Sequence, residues 1–158
     1  MIKLSLKILA IVFLFIFQIA FFNKLTIWGS LPNIILILSL AFLLRNRFSD
    51  SLLIAVVGGL LLDLVSPLRF GVYILLFLSI LFLLRFLILR MLPTPNLFWL
   101  YLIFCGAFFM MDLFILLFLR IWPSWMTAAN IFINGLWGIL IYLGVSHLMK
   151  VTEEFKIE

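Results

Sequence analysis

The chain has 158 residues, of which 68% are hydrophobic and 11% charged, with a formal net charge of +5 and a mean hydropathy of +1.41. Soluble domains average roughly 45–50% apolar and about 25% charged residues, so the composition excludes a soluble globular fold. It leaves an all-α, multi-pass membrane protein, read as one helical domain over residues 1–150 and a short tail over 151–158. The basic residues stand at segment ends, where membrane topology accounts for them, so nucleic acid is not an expected partner.

Six apolar segments follow one another with little between them: Ile8–Phe22, Leu31–Leu44, Ser51–Val65, Phe70–Leu89, Leu97–Leu119 and Met126–Met149. Lys3 and Lys7 ahead of the first resemble the basic region of a signal peptide, but the bulky Gln18-Ile19-Ala20-Phe21-Phe22 offers no small-residue cleavage site, so an uncleaved first helix is expected. The second segment is short for a span of about 20 residues. It either recruits Trp28 and Gly29 or crosses where the protein thins the bilayer. With both termini inside, the inner basic residues are Lys3, Lys7, Arg45, Arg47, Arg85, Arg90, Lys150 and Lys156, and the outer ones are Lys24, Arg69 and Arg120. The positive-inside rule favours this orientation. It also sets Trp28, Trp122 and Trp125 at the outer interface and Trp99 and Tyr101 at the inner one, as an aromatic belt requires.

Polar residues inside these segments gather in the outer half: Gln18, Asn33 after Pro32, Asp63, Asp112, Asn130 and Asn134. A carboxylate in hydrocarbon costs roughly 2.5–3.5 kcal/mol on insertion scales and usually marks a bundle interior or a working contact. A proton or ion path needs polar relays across the whole bilayer, and the inner half here is nearly pure Leu, Ile and Phe, which disfavours a transporter. Ser51, Ala55, Gly59 and Asp63 recur every four residues, on one helix face. Such small-residue stripes let helices approach closely. The stripe serves either internal packing or a seam that presents Asp63 to a neighbour. Arg69, just past Ser66-Pro67 and before Gly71, is a candidate ion-pair partner for Asp63. Asn130, Asn134 and Gly138 form a second stripe, and Asn134 and Asp112, at similar depth, are a candidate hydrogen-bonded pair. Cys105 is the sole cysteine and His147 the sole histidine. Cys105 reads as a small packing residue, and a metal site needs more ligands than these. No nucleophile elbow, phosphate loop or paired catalytic carboxylates occur, so neither enzymatic activity nor a cofactor is expected.

At these residues the chain resembles the rod shape-determining MreD family. The matching patches are Pro32-Asn33, Gly59-Leu60-Leu61-Leu62-Asp63-Leu64-Val65-Ser66 with Gly71 after it, Asp112 behind its hydrophobic run, and Asn134-Gly135-Leu136-Trp137, with Gln18 fitting as well. One departure is Pro67-Leu68-Arg69-Phe70, where the family has a small-residue turn. The resemblance implies a non-enzymatic scaffold of the bacterial inner membrane that binds MreC. With MreB, RodA and a class B penicillin-binding transpeptidase, it would organise lateral peptidoglycan synthesis and cell shape. It also implies a six-transmembrane-helix bundle similar to the substrate-binding S components of energy-coupling-factor transporters. A small-molecule-binding membrane subunit is therefore the rival function.

Overall fold

The computed structural model describes residues 2–22, 32–91, 96–120, 122 and 124–154. Six α-helices run α1 (Ile2–Phe17), α2 (Ile34–Leu44), α3 (Phe48–Val65), α4 (Val72–Met91), α5 (Leu97–Leu119) and α6 (Trp125–Glu154). A π-helical turn, Gln18–Phe22, extends α1. The boundaries fall close to the six apolar segments. The exceptions are α1, which starts at Ile2 and not Ile8, α2, which starts at Ile34 and not Leu31, α3, which starts earlier, at Phe48, and α6, which runs past residue 150 to Glu154, so the tail expected over 151–158 begins as helix. Lys24, Trp28, Gly29, the loop residues Pro93–Pro95 and Lys156 lie outside the described residues.

Three of the helices, Phe48–Val65, Leu97–Leu119 and Trp125–Met149, are long and apolar enough to cross a membrane, and Leu4–Ala20, Ile34–Leu44 and Val72–Ile88 are shorter apolar helices. The exterior is apolar too: Phe13, Leu75, Phe82, Leu117, Phe132 and Leu140 are all exposed. A surface of this kind fits a hydrocarbon solvent and not water.

The short α2 is the centre of the bundle. It packs on α3, α6, α4 and α1, and Ile35, Leu36, Ile37, Ser39, Leu40, Ala41 and Leu43 are all buried. A helix apolar on every side is stable only when surrounded. Phe77 and Leu81 of α4 and Phe104 and Phe108 of α5 complete the core around it. We call the end where α3 and α5 finish and α4 and α6 begin the upper end.

At the lower end α2 turns into α3 through Arg45, Asn46 and Arg47. Asn46 takes a left-handed φ of 59°. Its N–H donates to the Leu43 carbonyl at 3.0 Å, and that of Arg47 to the Phe42 carbonyl at 3.0 Å. This is the Schellman pattern, and asparagine is one of the few side chains that tolerates its left-handed position. Lys7 and Arg47 both pair with Asp50, and the Arg85 guanidinium sits 3.6 Å from the centre of the Phe48 ring. The ion pairs among the described residues therefore lie at the lower end.

Candidate functional site

Asn33, Asn134, Asn130 and Asp112 form one connected network at the upper end, and it starts from the short α2. Eleven residues make a helix of only about 16 Å, roughly half the hydrocarbon thickness. Its N-terminus lies inside the bundle, where Pro32 and Asn33 are both buried. The first N–H groups of any helix lack intrahelical partners, and hydrocarbon supplies none. Side chains from three elements supply them here. Asn33, the N-cap, accepts from the Leu36 N–H at 3.2 Å through its side-chain oxygen. Asn134 of α6 accepts from the Asn33 N–H at 2.9 Å. Gln18, in the π turn, accepts from the Ile35 N–H at 3.3 Å. Pro32, also buried, has no N–H to satisfy.

The network continues towards the upper end. The Asn134 amide nitrogen donates to the Asn130 carbonyl at 2.9 Å and to the Asn130 side-chain oxygen at 2.8 Å. The Asn130 amide nitrogen in turn donates to both oxygens of Asp112, at 3.0 and 3.3 Å. The partner of Asp112 is thus Asn130, one turn above Asn134, and not Asn134 itself. Asp112 lies seven residues from the end of α5, and Asn130 lies five and Asn134 nine from the start of α6, so counted depth places the two asparagines equally far from its level, and the helix packing selects Asn130. Asn134 is fully buried and Asp112 nearly so. Among the described residues, no buried side-chain nitrogen or oxygen lacks a hydrogen-bond partner.

Asp63 performs a second capping task. Its carboxylate accepts from the Tyr73 N–H at 2.8 Å and the Ile74 N–H at 3.3 Å, both in the first turn of α4. A negative group at that place also meets the positive end of the helix dipole. The expected pairing with Arg69 does not occur. Arg69 is exposed, and among the described residues the ion pairs are those of Asp50 with Lys7 and Arg47. Four residues before Asp63, Gly59 lets α3 touch the α4 backbone: a Cβ there would lie 3.0 Å from the Ile74 Cα and 3.1 Å from its nitrogen. Ser66 caps α3 at 2.9 Å from the Leu62 carbonyl, and its hydroxyl accepts from the Leu68 N–H at 3.1 Å. Gly71 has a φ of 95° with open space where a Cβ would stand, so its backbone conformation, and not crowding, asks for glycine.

Both small-residue stripes face inward. Ser51 and Ala55 are fully buried, and the Ser51 hydroxyl donates to the Ser39 carbonyl of α2 at 2.7 Å. Gly138 leaves room for the Phe104 ring and Gly135 for Cys105 and Tyr101. Cys105, half-buried, donates to the Ile131 carbonyl at 3.8 Å. These are the α2–α3, α3–α4 and α5–α6 seams of this molecule itself. Sequence reasoning missed Ser39 and Met111, whose sulfur accepts from the Asn33 amide at 3.8 Å. A serine midway along an otherwise apolar eleven-residue helix was the available signal for Ser39. Nothing marks Met111 among the other methionines.

Beside this network, between the upper halves of α5 and α6, lies a cavity of about 590 Å³ with Asp112 in its lining. Among the described residues, no group of three or more His, Cys, Asp and Glu side chains is placed to hold a metal ion. Comparison of the chain with protein-family models, with curated proteins and with solved structures returned no match.

Proposed function

We propose that this chain is a multi-pass scaffold of the bacterial inner membrane, of the MreD kind. It would cross the bilayer six times with both termini in the cytoplasm, bind MreC directly, and stand beside MreB, RodA and a class B penicillin-binding transpeptidase in lateral wall synthesis. The chain Asp112–Asn130–Asn134–Asn33 carries the reading. Polar groups at membrane depth usually mark a relay or a substrate site, but these are committed to each other and to the buried start of α2. That use is architectural. It leaves lipid-facing helix surfaces and the upper cavity for partners, because the connections are too short to fold into a binding module. The residues that carry the family resemblance, Asn33, Gly59, Asp63, Ser66, Gly71, Asp112 and Asn134, are also those that cap or pack the upper end. The basic residues, eight on the proposed inner side and three on the outer, support the topology.

The rival, an S component that captures a vitamin, calls for a polar pocket. The upper cavity is walled mainly by Phe109, Leu113, Leu116, Leu117 and Ile131, which favours the scaffold. Affinity purification in mild detergent tests the reading. Recovery of a bitopic coiled-coil protein is the expected result, and recovery of a pair of ATPases would replace the scaffold with the S component.

A further inference from the structure

The cavity between α5 and α6 has a shape and a charge distribution that the polar network does not use. Its wall on α5 runs from Phe109 to Arg120, about 16 Å at about 1.5 Å per residue, close to half of a hydrocarbon core of roughly 30 Å. It therefore spans one leaflet. Leu113 and Leu117 on this wall are 41% and 67% exposed, so the cavity is open towards the surrounding hydrocarbon and is not sealed within the bundle. Ala128 and Ile131 of α6 line the opposite side, and Asp112, held by Asn130, lies at its deep end. Its volume falls within the range of about 300–1,000 Å³ typical of small-molecule sites.

The mouth differs from the walls. Arg120, Trp122, Ser124 and Thr127 line it, at the level where Arg and Trp side chains meet the headgroups of a bilayer. Arg120 is exposed, and the ion pairs among the described residues lie at the lower end of the molecule. The positive dipole end of the 30-residue α6 and the negative end of α5 meet at this mouth and offset each other, which leaves Arg120 as its net charge. Positive potential at headgroup level above a one-leaflet apolar trough complements a phosphodiester with an acyl chain below it.

From this arrangement we infer that the α5–α6 groove is a binding site for an anionic phospholipid of the surrounding leaflet, its phosphate at Arg120 and one acyl chain along Phe109, Leu113 and Leu117. The inference rests on α5 and α6 being membrane-embedded and is independent of the scaffold reading. The lipid would close the cleft beside Asp112.

The test uses the purified full chain in detergent, titrated with dioleoylphosphatidylglycerol and with dioleoylglycerol, and read by native mass spectrometry. Phosphatidylglycerol should bind at one site about fivefold tighter, the factor one cation near an anionic lipid contributes. Arg120→Gln should abolish the preference and Arg120→Lys should keep most of it. Arg69→Gln, a charge loss at the same end but outside the groove, should leave it unchanged. Ala128→Phe, which fills the wall, should weaken both lipids. Equal binding of the two lipids, equal loss in the Arg69 and Arg120 variants, or full binding by Ala128→Phe would overturn the site. Displacement of phosphatidylglycerol by a tenfold lower concentration of a polyprenyl phosphate would overturn the assigned occupant.

Discussion

Asn134→Leu tests the central structural claim, that the polar cluster exists to let α2 begin inside the bundle. The leucine is close to the asparagine in size, so packing around this fully buried position changes little. Three groups lose a partner. The Asn33 N–H loses its acceptor, and Asn130 loses a donor both to its backbone carbonyl and to its side-chain oxygen while keeping Asp112. Polar contacts between membrane helices average only about 0.6 kcal/mol, because the unfolded state within the membrane finds other partners. A buried N–H with no alternative costs more, about 1–3 kcal/mol. Depth decides between the two figures. Asn134 lies nine residues into α6, about 14 Å from its start, and Asn33 is itself buried. Water does not reach that N–H, so the upper range applies.

Reversible unfolding in mixed detergent micelles, followed by far-ultraviolet circular dichroism, should therefore show a loss of about 2 kcal/mol for Asn134→Leu, within the range for an orphaned buried N–H. Amide exchange at Asn33, Ile35 and Leu36 should accelerate before that of the α5–α6 seam. The double variant Asn130→Leu with Asn134→Leu should be less destabilised than the sum of the singles, since both break one network. A change below about 0.5 kcal/mol for Asn134→Leu, the size usual for surface substitutions, would mean that α2 is held by packing alone and that the network is incidental.

At Asp63, Asn keeps an acceptor for the Tyr73 N–H while Leu orphans both first-turn N–H groups of α4, so Asp63→Asn should be milder than Asp63→Leu in thermal stability and in partner recovery; equal effects would assign the role to charge. Gly59→Leu should separate α3 from α4, because even a Cβ lies 3.0 Å from the Ile74 backbone; a loss in melting temperature checks this, and wild-type stability would show that the helices can shift apart freely. Reporter fusions should place the C-terminus and the loop near Asn96 in the cytoplasm and the Arg69 turn outside; an external C-terminus would undo the six-span topology.

Helix number and boundaries were legible because hydrophobic runs separated by Pro, Gly and basic residues leave few alternatives. The polar positions were legible too, since each carries an insertion cost that marks it as inward-facing. Their partners were not. Depth counted along each helix cannot resolve one turn, and that is the difference between Asn134 and Asn130 as the ligand of Asp112. Nor does a charge inventory reveal that Asp63 prefers backbone N–H groups to Arg69, because the choice depends on where α4 starts and not on which side chains are near in sequence. The shortness of α2 was visible, but its consequence was not. Once Ile34–Leu44 is known to be the surrounded central helix, its N-terminus must end in hydrocarbon unless side chains meet it. Asn33, Asn134 and Gln18, which looked like separate polar interruptions of three segments, then have one physical cause: a half-length helix in the middle of a bundle needs its first turn capped from outside itself.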